Sequence, residues 1–134
     1  MPEGVVYDPL RRKNVAATPE EQVRQWFIGI LSGTLGVPHH MMMSEVPMKY
    51  GVKSWRADIV VWGQGAIPLA VVECKRPGVD VDADVARQAL RYNAVLGVKF
   101  IILTNGGKTS VFKRGSDGFS AMDHLPLYDE MKKA

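Results

Sequence analysis

Residues 71–77 read V-V-E-C-K-R-P. The valines suit a strand covered on both faces, and Arg76-Pro77 stops it, because proline cannot donate to a ladder. The strand nevertheless ends on two opposite charges, Glu73 and Lys75. Side chains alternate along a strand, so Leu69, Val71, Glu73 and Lys75 share one face while Ala70, Val72 and Cys74 share the other. Burying a carboxylate and an ammonium costs several kcal/mol unless each is partnered. The pair is therefore either a solvated rim or part of a site, and the neighbouring segments bear on which.

Upstream, R-A-D-I-V-V-W at 56–62 is a second valine-rich strand, and G-Q-G-A-I-P turns the chain back into Leu69–Lys75. Pairing through that turn places Asp58 beside Glu73 where the sheet leaves the core. Two carboxylates there form a hard-oxygen site suited to Mg²⁺, with Lys75 next to it. Met41–Lys49 reads as an earlier strand. Before it, T-P-E-E-Q-V-R-Q-W-F-I-G-I-L starts a helix with Thr18 as N-cap, Pro19 in the first turn and Glu21 at the capping-box position. Val23, Trp26, Phe27, Ile30 and Leu31 form its apolar stripe, and Gly33 and Gly36 end it.

Downstream, Asp82 caps a second helix that Gly97 closes, with acidic residues at its positive end. Lys99–Thr104 and Thr109–Lys113 are two more strands about an Asn105-Gly106 turn, and a short helix is expected over Leu127–Lys133. Residues 1–17 show no periodicity and read as an irregular N-terminal arm, with 18–134 as a single domain. The order is α-β-β-β-α-β-β. The crossover from the third strand to the fourth implies a parallel pair, so the expected fold is an α/β domain with a mixed sheet flanked by helices.

Composition narrows the classes further. With 134 residues, 46% hydrophobic and 23% charged, the chain has one globular core. No apolar run approaches a membrane span, and the first residues carry charges where a signal peptide has its apolar core, so no membrane partner and a cytoplasmic location are expected. The single cysteine excludes an internal disulfide or a cysteine-rich zinc site. A net charge of +3 is compatible with a polyanionic partner and no more than that.

Taken together, R-A-D-I-V-V, V-V-E-C-K-R-P, Q-A-L-R-Y-N and I-L-T-N-G resemble the nuclease domain at the N-terminus of type I restriction enzyme R subunits, of the PD-(D/E)XK superfamily. The likeness covers roughly residues 18–113. It implies a restriction-endonuclease-like sheet and a metal-dependent endodeoxyribonuclease, with Mg²⁺, or Mn²⁺ in its place, bound by Asp58, Glu73 and the Cys74 carbonyl. It implies that Lys75 positions or activates the attacking water, and it matches Gln88 and Tyr92 to the Gln-x-x-x-Tyr element of one nuclease branch. The superfamily's proline is Ala57 here, a position that is not a ligand. DNA is the implied substrate, with a homodimer or partner restriction subunits as assembly partners.

The residues themselves leave alternatives. Gln88 and Tyr92 are i,i+4 neighbours that reach a common spot, or simply a packing face. Related nucleases carry an acid on the first helix; that role falls to Glu20, on the core-facing side, while Glu21 caps, or both merely complement the helix N-terminus. Lys49, Lys53, Arg56, Arg76, Arg87 and Arg91 are phosphate-contact candidates or ordinary surface charge. A catalytically silent DNA-binding or interaction module is the rival reading. G-G-K-T-S at 106–110 lacks the first glycine of a phosphate loop and precedes a strand. His39-His40 lacks partner ligands at metal spacing, and Cys74 reads as a small buried residue.

Overall fold

The computed structural model describes residues 4–93 and 96–134; the side chains of Asp84, Gln88, Arg91, Tyr92 and Asn93 lie outside the described set. The elements are β1 (Val5–Asp8), β2 (Lys13–Ala16), α1 (Pro19–Gly29), β3 (Met42–Tyr50), β4 (Lys53–Gly63) and β5 (Ile67–Cys74). After these come α2 (Ala83–Asn93), β6 (Phe100–Thr104), β7 (Thr109–Gly115), β8 (Gly118–Met122) and α3 (Tyr128–Lys133). Six strands form one sheet in the order β3-β4-β5-β6-β7-β8. Every pair is antiparallel except β5–β6, which is parallel and bridged by α2. The expected mixed sheet with its single crossover is what the chain forms.

The valine-rich strands are central because both faces are covered. Val23, Phe27 and Ile28 of α1, with Leu31 just beyond it, pack on Ile59, Val61, Val72, Phe100 and Ile102, and Met131 of α3 completes that layer. On the other face Val60, Val71 and Ile101 meet Leu90 of α2. Tyr128 ties α3 down: its amide donates to the Leu35 carbonyl and its hydroxyl to the Trp62 carbonyl, both at 2.8 Å. None of the described helices is long and apolar enough to cross a membrane.

Three features depart from expectation. The segment taken as an irregular arm contains an antiparallel hairpin, with Val5 opposite Ala16 and Asp8 opposite Lys13. Its strands are short and half exposed, so they carry little alternation; what fixes them is the buried carboxylate of Asp8, which accepts the Leu10 amide at 2.9 Å and pairs with Arg11. The first helix does not run to its glycines as a regular α-helix. It widens into a π turn over Ile30–Thr34, with the Leu35 amide on the Ile30 carbonyl at 3.0 Å. A further strand, β8, follows a Ser116-Asp117 turn and opens on Gly118, whose φ is +102°.

Candidate functional site

The site grows from the place where β4 and β5 stop pairing regularly. Their ladder runs Val61–Ala70, Val60–Val71, Ile59–Val72, and Asp58 and Glu73 follow next on the two strands. Ala57 and Val60 both belong to the α2-side cluster, while Ile59 and Val61 belong to the α1-side one. Strict alternation therefore breaks at Asp58. Glu45, which falls opposite Asp58 between the Ser44–Ile59 and Val46–Ala57 pairs, has a φ of +50°, the mark of the same irregularity on β3.

The break turns Asp58 toward α1. Its Oδ2 accepts the Cys74 amide at 2.7 Å, so a side-chain oxygen of β4 satisfies an amide of β5. Its Oδ1 lies 3.4 Å from the Arg24 guanidinium. β5 itself continues in register with β6 through Glu73–Leu103 and Cys74–Thr104, and the Lys75 amide donates to the Thr104 carbonyl at 2.8 Å. Alternation from Val71 keeps Glu73 on the α2 face. The two acids thus stand on adjacent strands at one end of the sheet, with Asp58 inclined to the opposite helix from Glu73.

The charges acting on Asp58 come from α1 and from Lys75 just after β5. Burial, helped by the nearby charge of Glu20, raises the Asp58 carboxyl above its ordinary value, against the pull of the Cys74 amide, Arg24 and Lys75. Glu20, Arg24 and Lys75 therefore all act on Asp58. Burial pushes the Cys74 thiol far up, and Asp58, Glu73 and Glu20 add to it, so the cysteine is an inert filler as expected. Burial would loosen the Arg24 proton, yet Asp58, Glu21 and Glu45 more than offset it.

The first-helix acids are the reverse of the expected pair. Glu20 is exposed and Glu21 is buried. The Glu21 amide does donate to Thr18 Oγ1 at 3.1 Å, the expected cap, but its carboxylate is taken by Arg11 at 2.6 Å and Gln25 at 3.1 Å. Glu20 sits at the first turn, beyond the covered part of the stripe, where helical phase no longer means burial. Its charge still reaches Asp58.

Arg24 is the residue that the motif reading missed. It is 5% exposed, with Nη1 3.2 Å from Glu45 and 3.6 Å from Glu21, and Arg11 links Glu21 onward to Asp8. A signal was there: Arg24 lies between Val23 and Phe27 on the apolar stripe, and a cation there needs buried acids.

The basic candidates do not form one patch. Arg76 follows Lys75 directly, and Arg56 lies two residues from Asp58, 71% exposed and 3.4 Å from Glu45. Lys49 and Lys53 are at the far end of the β3–β4 hairpin, four or more strand residues away, on the order of 13 Å or further. Arg87 is exposed on α2. The side chains of Gln88, Tyr92 and Arg91 lie outside the described residues. Among the described residues, no three His, Cys, Asp or Glu side chains are grouped as metal ligands.

Two comparisons bear on this arrangement. The family described as "Type I restriction enzyme R protein N terminus (HSDR_N)" matches residues 19–126. A solved fragment described as an HsdR subunit of a type I restriction enzyme from Vibrio vulnificus YJ016 superposes with a TM-score of 0.63 at 23% identity. The match covers 85% of this chain and 24% of that one, so the chain spans about a quarter of that solved fragment's length. No curated protein sequence matches the chain.

Proposed function

The chain belongs to the family of type I restriction enzyme R protein N termini, and we propose that it is a metal-dependent endodeoxyribonuclease domain of the PD-(D/E)XK kind. The observation that carries the reading is the largely but not fully covered Asp58 at the opening of the β4–β5 ladder, one step from Glu-Cys-Lys at the end of β5, with its charge acted on by Lys75. Asp58 and Glu73 are all-oxygen donors, and Asp58 is an anion held in a mostly buried setting that a cation would relieve. Mg²⁺ commonly takes one or two carboxylates and keeps several waters, so Asp58, once its side chain turns from α1 back toward Glu73, would hold it together with Glu73 and the Cys74 carbonyl without a third side chain.

When bound there, such an ion would supply charge stabilisation on the scissile phosphate and lower the pKa of a water. The chain's own residues do the rest. Lys75 sets an ammonium where negative charge builds on the phosphate and orients the attacking water. Glu20, exposed in the first turn of α1, would hold that water from the solvent side. Gln88 and Tyr92 are assigned to the same site through their motif match, and Arg56 and Arg76 to flanking phosphates. DNA and the other subunits of a restriction assembly are the proposed partners.

The Arg24–Asp58 contact favours a second reading, a silent DNA-binding module in which an internal guanidinium stands where a metal would. Nicking of supercoiled plasmid separates the two. The parent should cut in Mg²⁺ or Mn²⁺ and stop in EDTA, and Glu73→Gln should not cut although it still binds the plasmid. Binding with no cutting in either metal selects the silent module.

A further inference from the structure

Beside the proposed site lies a groove that no part of the mechanism above uses. Pro19, Val23 and Trp26 of α1 form one wall; Pro77 and the turn residues Gly106 and Gly107 form the other. Its volume is about 410 Å³, within the range of small-molecule pockets (about 300–1,000 Å³). Pro77 comes two residues after Lys75, and the turn follows Thr104, which accepts the Lys75 amide, so the groove opens at the same end of the sheet.

Trp26 is 46% exposed, unusual for so large an apolar side chain beside a core helix face. Its ring stands edge-on to Phe27, centroids 5.8 Å apart at 63°, and Phe27 is fully buried. The indole is therefore anchored at one edge and offers surface to the groove. The opposite wall has little hydrogen bonding left to give. Asn105 Oδ1 accepts the amides of Gly107 and Lys108 at 2.9 and 2.7 Å, and its Nδ2 donates to the Val79 carbonyl at 2.9 Å. The Gly106 amide is on Thr104 Oγ1 at 3.2 Å, and Gln22 Nε2 is on the Ala17 carbonyl at 2.9 Å.

The walls are thus flat and apolar, and one exposed cation, Arg76, adjoins Pro77 in sequence, whereas Lys108 turns to the α2 side beside Val81, Ala86 and Phe112. An anionic chain carrying flat apolar rings matches both properties. We propose that this groove binds an unpaired nucleobase of a single DNA strand, stacked on Trp26 with its phosphate toward Arg76. This deepens, and rests on, the reading of the chain as a DNA-cutting domain. Because recognition is by stacking and not by edge hydrogen bonds, it tolerates any base.

The test is fluorescence anisotropy in EDTA with labelled oligo(dT), oligo(dA) and a duplex of equal length, using the 134-residue chain, Trp26→Ala and Trp26→Phe. Trp26→Ala should weaken both oligonucleotides about tenfold (~1.4 kcal/mol) and leave the duplex within twofold. Trp26→Phe, which keeps a stacking face, should recover most of the loss. The proposal is overturned if Trp26→Ala binds single strands like the parent, if it weakens duplex and single strand equally, or if the parent binds no single strand. Omitting metal keeps the two readings apart: Trp26-dependent binding by a protein that never cuts retires the nuclease and keeps the groove, whereas cutting with Trp26-independent binding does the opposite.

Discussion

Replacing Arg24 by methionine keeps an aliphatic stem at this buried position and deletes the charge. Its three acids are not equally exposed to the loss. Glu21 retains Arg11 at 2.6 Å and Gln25 at 3.1 Å; Glu45 retains Arg56 at 3.4 Å and Arg11 at 3.5 Å. Asp58 retains only the Cys74 amide and the more distant Lys75 among the described residues. Breaking a buried ion pair from one side costs about 3–5 kcal/mol. With two of three acids still served, the low end applies, ~3 kcal/mol, or roughly 10 °C in Tm for a chain of this length.

The pH dependence has a definite sign. The folded-state pKa of Asp58 is raised above its ordinary 3.8, so its contribution to stability is fully present below that value and is lost as pH rises through the folded one. Arg24 pulls the carboxyl down, so its removal shifts the folded value further up. The penalty for Arg24→Met should therefore grow as pH rises above about 4, and Asp58→Asn added to it should recover ~1.5–3 kcal/mol as coupling. Urea unfolding of the four proteins of the cycle at pH 5 and pH 7.5 measures this. A cost below ~1 kcal/mol at both pH values, with no coupling, would refute the account of Asp58 as a buried anion leaning on Arg24.

Two further outcomes follow from the same geometry. Gly106 has a φ of +90° and a Cβ there would meet Val23 Cγ2 at 3.4 Å, so Gly106→Ala should cost about 1–2 kcal/mol in urea unfolding, while Gly107→Ala, whose Cβ has only a 3.6 Å neighbour, should stay within ~0.5 kcal/mol. Cys74, 1% exposed and with its thiol pushed far up by burial, should resist a thiol reagent at pH 8 until the protein is unfolded; fast labelling of the native chain would mean that the β5 end is open.

The sheet was legible because its core strands are long, valine-rich and bounded by clear turns, and because T-P-E-E marks the start of α1. The β1–β2 hairpin was not, since four-residue half-exposed strands carry no period and the contact that holds them, Asp8 with Arg11, is specified by three-dimensional pairing. At the site, strict alternation correctly grouped Glu73 with Val71 but could not foresee the local backbone irregularity at Asp58 and Glu45, which turns the Asp58 side chain toward α1. Helical phase likewise misassigned Glu20 and Glu21, because burial at a first turn depends on what lies beyond the helix end, here Arg11. Arg24 was visible as a cation on an apolar stripe; its partners became identifiable only once β3 and β4 were folded against α1.

The central claim is that the Glu-Cys-Lys end of β5 is chemical machinery and not a charged rim. Single-turnover cleavage of supercoiled plasmid in Mg²⁺ by the parent, Lys75→Met and Lys75→Arg tests it most directly, with thermal melting as the control for folding. Lys75→Met keeps the aliphatic stem, so the fold should hold while cleavage falls at least ~10²-fold, the scale of one lost preorganised contact to a transition state. Lys75→Arg should not restore it, since a planar fork does not replace a compact ammonium beside a water. Parent-like cleavage by a folded Lys75→Met protein would contradict the account and leave Glu73 and Lys75 as an ordinary solvated strand end.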